Sequence, residues 1–290
     1  MKTNKWGENM QYSISNWIYA TEDLEKGLQR LAKYKYDAVE LEGEPDKEKY
    51  EPKKVKKMLQ QYGLEVSSIA GMYPWKEEIK RDLASSDKKI REQTIDYLIK
   101  CIDYAKLISA KLLIVVPAAV SKTAPSLSKK EDWNNSVKAV QEVAKYAEKK
   151  DILLAIEPIN RYETYLVNSI QDALYYAREV NSSHVKIMAD TFHMNIEERD
   201  IPEAIRTAGN NLINVHIADS NRCSVGRGHI YFKALIKALK EINYQYALTL
   251  EPLPPVSDPY LALKGGVSEN IFDQYAAESI MGLKYFELIT

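Results

Sequence analysis

The sequence is poor in the residues that staple small folds or build zinc clusters. It holds 2 cysteines, Cys101 and Cys223, and 4 histidines in 290 residues. Two cysteines cannot form a disulfide framework or a cysteine-rich zinc site. They suit a reducing, cytoplasmic compartment. Neither sign of charge is in excess, with 40 Lys+Arg against 41 Asp+Glu. That balance lacks the basic surplus of a dedicated nucleic-acid binder, so no nucleic-acid partner is expected. No apolar run approaches the roughly 18 residues of a membrane span, so no membrane partner is expected either. The first ten residues carry no apolar h-region, and no secretory signal is expected from them. What is present is an ordinary globular composition, 45% hydrophobic and 28% charged. The length suffices for one large domain or two ordinary ones without disulfide or metal staples.

Eight short apolar runs punctuate the chain, at residues 12–18, 38–41, 65–70, 112–116, 152–156, 185–189, 212–217 and 247–251. Several are continuously apolar, as parallel strands buried on both faces are. Amphipathic stretches separate them, at 22–34, 47–62, 87–108, 131–150, 169–180, 202–209, 231–242 and about 270–288. Ser86 or Asp87 is a suitable N-cap for the third, and Pro202 sits where a helix begins. Eight strand–helix units in this length predict a (β/α)8 TIM barrel, an α/β fold that typically takes about 250 residues. They also predict one catalytic domain over 1–290. The rival doubly wound sheet lacks its usual Gly-x-Gly-x-x-Gly after the first strand.

In such a barrel the active site collects at the C-terminal ends of the strands. The fifth run closes on Glu157, the sixth on Asp190, the seventh near His216 and the eighth on Glu251. Taken singly, each has an ordinary explanation. Glu157 and Glu251 precede prolines that end a ladder, Asp190 suits a helix cap, and His216 suits a satisfied core position. Four together at equivalent positions are hard to ascribe to packing. Three carboxylates and one imidazole form a hard, mostly oxygen donor set. It fits a divalent ion, Mn²⁺ first, with Co²⁺ or Mg²⁺ as alternatives, rather than a structural zinc. Three following segments add polar groups that can face a polyol: Glu157-Pro-Ile-Asn-Arg-Tyr-Glu163, Asp190-Thr-Phe-His193 and His216-Ile-Ala-Asp-Ser-Asn-Arg222.

These segments resemble the ketose 3-epimerase family, which comprises the D-tagatose/D-psicose (allulose) and L-ribulose 3-epimerases of the xylose isomerase-like barrels. The resemblance covers most of the chain and is most specific from Ile156 to Gly228. It implies metal ligands at Glu157, Asp190, His216 and Glu251, and substrate-binding side chains at Glu163, His193 and Arg222. All seven positions match in residue type. Tyr231 departs from the pattern, which often has an acidic residue there, and the first apolar run matches imperfectly. Both bear on the far end of the sugar pocket.

The implied reaction inverts the carbon beside a ketone through a cis-enediolate. The pairs in view are D-psicose/D-fructose, D-tagatose/D-sorbose and ribulose/xylulose. Glu157 and Glu251 exchange the C3 proton from opposite faces, and the metal stabilises the enediolate as a Lewis acid. A free ketose is the expected partner, with a homodimer or homotetramer as the assembly. The alternatives are a related sugar isomerase, a keto-inositol isomerase or dehydratase, or a 3-keto-sugar lyase. Segment 71–75, with two aromatics, could wall the pocket or pack elsewhere. His229 and His184 take no role.

Overall fold

The computed structural model describes residues 10–19, 22–71, 80–256, 260, 263 and 269–290. Eight parallel strands follow one another around a ring: β1 (Gln11–Ile14), β2 (Ala38–Glu42), β3 (Glu65–Ala70), β4 (Leu112–Val115), β5 (Leu153–Ile156), β6 (Val185–Asp190), β7 (Leu212–Ile217) and β8 (Ala247–Leu250). β1 pairs with β8, and a parallel bridge from Ser15 to Glu40 joins its far end to β2. The result is the TIM barrel expected from the sequence.

The helices between the strands are α1 (Leu24–Lys33), α2 (Pro52–Tyr62), α3 (Lys88–Ile108), α4 (Lys129–Lys150), α5 (Ile170–Val180), α6 (Thr191–Glu197), α7 (Ile201–Ala208), α8 (Phe232–Glu241) and α9 (Glu269–Leu288). Their starts follow capping chemistry. Asp87 caps α3 through the Lys89 amide, and Ser169 with Asp172 forms a capping box on α5. Pro52 occupies the first turn of α2, and Gly63 ends it in the left-handed region.

Two expectations are corrected in detail. Residues 12–18 are not one strand: the chain leaves β1 at Ile14 and turns into a short 3-10 helix, Asn16–Tyr19. Asn16 drives that turn by accepting the Glu42 amide at 2.8 Å and donating to the Tyr50 hydroxyl at 2.9 Å. The segment after Asp190, which falls in none of the expected amphipathic stretches, is the helix α6.

Inside the barrel a small apolar cluster fills the half formed by β4 to β7: Leu112, Ile114, Ala155, Met188 and Ile213. The other half is polar, with Ser13, Ser67, Ser68, Glu40, Asn214 and Thr249 linked by hydrogen bonds. Register shifts mark both sides of this polar half. Val39 pairs with Val66 but Glu40 with Ser68, and Ile187 pairs with Leu212 but Met188 with Asn214. Each shift inserts one residue. A strand alternates faces with every residue, so the insertion re-aims everything beyond it. The extra residue is Ser67 in β3 and Ile213 in β7, so the shifts re-aim Ser68 in the one strand and Asn214 with His216 in the other.

Candidate active site

The strand period carries the interior face directly to the mouth. Ala155 precedes Glu157 by two residues, as Met188 precedes Asp190, Asn214 precedes His216 and Thr249 precedes Glu251. All four mouth residues are buried. Glu157 and Glu251 are held by their backbone amides, which donate to Val115 and Ile217 carbonyls at 3.1 and 2.9 Å. Asp190 ends β6 and caps α6. Its Oδ1 accepts the Phe192 amide at 2.7 Å and the His193 amide at 3.4 Å, which leaves Oδ2 facing the site.

His216 is the hub. Its Nε2 lies 3.0 Å from Oε2 of Glu40, a fully buried carboxylate that also accepts from Ser68 at 2.6 Å. The acceptor at Nε2 leaves Nδ1 to face the mouth. There Nδ1 lies 3.3 Å from Glu251 and 4.0 Å from both Glu157 and Asp190, with no hydrogen-bond partner.

A second layer surrounds these groups. Arg222 reaches Glu251 at 3.2 Å, Glu163 at 3.4 Å and the Tyr260 hydroxyl at 2.7 Å. Tyr260 donates to Glu163 at 2.8 Å and stacks on Trp17, whose indole N–H donates to Glu251 at 2.6 Å. His193, on α6, lies 3.7 Å from Asp190 through Nε2 and bonds Asn160 through Nδ1. Arg222 has φ +60°, a conformation that non-glycine residues rarely hold. The Asp219 carbonyl and the Leu253 amide clamp that backbone at 2.8 and 2.7 Å. Six of the seven residues singled out in the sequence line one pocket, and the seventh, Asp190, sits just behind it, 4.0 Å from His216.

Sequence reasoning missed Glu40, Trp17, Asn160 and Tyr260. Glu40 is one of two glutamates in β2, with Glu42, and nothing local sets it apart. Its partner His216 is 176 residues away. Tyr231 is exposed beside α8, and His229 bonds Ser220 in a surface loop. His184 sits before β6, at the opposite end of the strand from Asp190. Residues 72–75 of the aromatic segment lie outside the described residues.

The electrostatics show a site rich in buried negative charge. Burial raises Glu157 to about 8, helped by Glu251, Asp190 and Glu40 against the pull of His216. Burial and Glu251 raise Asp190 to about 6, against Arg222 and His216. Glu251 goes the other way: burial opposes it, but His216, Arg222 and Trp17 hold it well below the carboxylate range. Burial alone would lower His216, and Glu40 and Glu251 overcome it and raise it far above its ordinary value. Burial and Arg222 lower His193 to about 3.

These residues fit a divalent metal. Among the described residues, donor atoms lie within 4.8 Å of one another in two triads, Glu40–His216–Glu251 and Glu157–Asp190–His193. The triads meet at Nδ1 of His216, an orphaned buried atom ringed by carboxylates. Donors bound to one ion at about 2.0–2.2 Å lie roughly 3–4 Å from each other, the range seen from Nδ1 to the three oxygens. A cation there would satisfy the nitrogen and relieve the repulsion that raises Glu157 and Asp190.

A family model described as xylose isomerase-like TIM barrel matches residues 28–264. The chain belongs to that family. The D-psicose 3-epimerase of Enterocloster bolteae is 31% identical over 253 residues, 86% of this chain and 82% of the relative. The L-ribulose 3-epimerase of Methylomonas sp. is 34% identical over 210 residues, 71% of each chain. A crystal structure of the D-psicose 3-epimerase from Clostridium cellulolyticum, with D-tagatose, superposes at a TM-score of 0.85 and 26% identity. The match covers 96% of this chain and 99% of that one. The protein is an isomerase of the epimerase kind.

Proposed function

We propose that the enzyme is a metal-dependent ketose 3-epimerase acting on free ketoses such as psicose, fructose, tagatose or ribulose. The observation that carries this reading is the ring of Glu157, Asp190 and Glu251 around the unpartnered Nδ1 of His216. These four would hold Mn²⁺, or Co²⁺ or Mg²⁺ in its place. When bound, the ion supplies Lewis-acid stabilisation to developing negative charge.

The protein side chains do the remaining work. The C–H beside a ketone is a weak acid, and inversion needs proton removal on one face and delivery on the other. β5 and β8 stand three strands apart in the eight-stranded ring, so Glu157 and Glu251 approach the mouth from well-separated directions. One carboxylate takes the C3 proton and the electron pair moves into a cis-enediolate. The other, as the carboxylic acid, returns a proton to the opposite face. Exchange with water then restores the starting protonation. His193 and Arg222 donate to the oxygens near C1 and C2. Glu163, fixed by Tyr260 and Arg222, accepts from a hydroxyl. Trp17 and Tyr260 exclude water above the reacting carbon.

Glu157→Gln and Glu251→Gln should each lower kcat by roughly 10²–10⁴-fold or more while thermal unfolding stays cooperative. EDTA should stop turnover, and Mn²⁺ or Co²⁺ should restore it. Full activity after chelation would refute the metal assignment. Product analysis by NMR with fructose, tagatose, ribulose and inosose separates C3 epimerisation from aldose–ketose isomerisation, dehydration and lyase cleavage. The chain is read as one catalytic domain that assembles as a homodimer or homotetramer in the cytoplasm. Light scattering on the purified protein tests the assembly.

A further inference from the structure

We propose that Asn160 is a positioning residue that fixes the tautomer of His193, so that the ring presents an Nε2–H donor to the sugar. This deepens the reading above and rests on His193 being a substrate contact. Asn160 lies just past β5 and is 1% exposed. Two neighbours with a single possible role each orient its amide. The Tyr162 N–H donates to Oδ1 at 3.0 Å, and the Glu163 carboxylate accepts from Nδ2 at 3.0 Å. A reversed amide would set oxygen against carboxylate and NH₂ against N–H. It would exchange two hydrogen bonds for two repulsive contacts.

The amide nitrogen therefore faces His193, where Nδ2 and Nδ1 are 2.7 Å apart. A donor at that distance requires a lone pair on Nδ1, and the neutral ring then carries its proton on Nε2. The turn holding the amide is stiff. The Asn160 carbonyl accepts the Glu163 and Thr164 amides at 3.0 Å each, and Asn168 ties the Ile159 and Thr164 carbonyls at 2.6 and 2.9 Å. At the other edge of the ring, Nε2 is 3.7 Å from Asp190, too far for a hydrogen bond, so the N–H is left for a ligand. A donor in that place matches a carbonyl or enediolate oxygen, which can only accept. It cannot take a proton from the sugar.

Long-range ¹H–¹⁵N correlation spectra of histidine-labelled protein test this at neutral pH, chelated and with Mg²⁺. Four histidines keep the spectrum simple, and His193→Gln assigns the signal. The expected pattern for His193 is the Nε2–H tautomer. Asn160→Asp, which places an acceptor at Nδ1, should convert it to Nδ1–H. An Nδ1–H pattern in the unmodified protein, or no change in Asn160→Asp, overturns the proposal. The unmodified spectrum decides even if the variant fails to fold. Asn160→Ala should lower kcat/KM roughly 10–100-fold. In the His193→Gln background, where a side-chain amide donates without tautomer control, the same change should cost less than about threefold. Equal costs in both backgrounds would make Asn160 merely structural and overturn its positioning role. A tautomer swap with no kinetic effect upholds the assignment and removes instead the placement of the sugar against His193.

Discussion

At the scale of single residues, a buried carboxylate that never reaches the mouth governs what the site can hold. Glu40 accepts a hydrogen bond from Nε2 of His216, and Nδ1 then faces three acidic side chains, where a bound cation would displace its proton. Such outer partners orient a ligating imidazole and raise its basicity. Glu40→Ala should weaken Mn²⁺ binding roughly 10–100-fold. Glu40→Gln keeps an acceptor without the charge and should weaken it less. Titration calorimetry on folded protein measures both, and an unchanged Kd in Glu40→Ala would refute the coupling. The mouth residues were legible in the sequence because each closes an apolar run. Glu40 was not, because a strand glutamate looks the same whether it meets water or a histidine 176 residues on.

At the scale of elements, the eight strands and most helix starts were legible from apolar runs and caps. The exceptions share a cause. The 3-10 helix at Asn16–Tyr19 interrupts an apolar run because Asn16 bonds the neighbouring strand, a contact between residues 26 apart. α6 was hidden because its 7 residues are too few to show a helical stripe, although Asp190 suited a cap; Asp190 serves the helix with one oxygen and the site with the other. The register shifts in β2–β3 and β6–β7 leave no local sequence mark, yet they re-aim Ser68, which bonds Glu40, and turn His216 inward. Close approach of strand ends adds a further constraint. A Cβ on Gly71 would lie 2.5 Å from the Ile114 carbonyl oxygen, a backbone atom that cannot swing aside. Gly71→Ala should destabilise the fold by about 1–3 kcal/mol. Chemical denaturation with an unchanged midpoint would contradict that crowding.

At the scale of the molecule, α9 closes the ring of helices by ion pairs with earlier segments. Asp273 binds Arg30 and Lys33 at 2.7 Å, and Glu278 binds Arg227 at 2.7 Å. Burial opposes ionisation of Asp273, but Lys33, Arg30 and Tyr34 prevail and hold it at about 2. Arg227, with Ser224 and Gln274, holds Glu278 at about 2 against burial. Both sit below their ordinary values of 3.8 and 4.5. Their contribution is present in full above that range and is lost as pH falls toward about 2. Asp273→Asn and Glu278→Gln should therefore lower stability near neutrality, by no more than about 1 kcal/mol each. The gap from the unmodified protein should close in acid. Thermal unfolding across the acid range checks the sign, and a gap that widens in acid would contradict it.

The whole account turns on two carboxylates that exchange one carbon-bound proton at a metal-organised mouth. The most direct measurement is turnover of fructose or psicose in D₂O with Mn²⁺, the ion then being removed before NMR of the sugar. Deuterium should accumulate at C3 as the C3 epimer forms, and EDTA should abolish both together. Label at C1 with an aldose product, or a C3 epimer that gains no deuterium, would contradict the account.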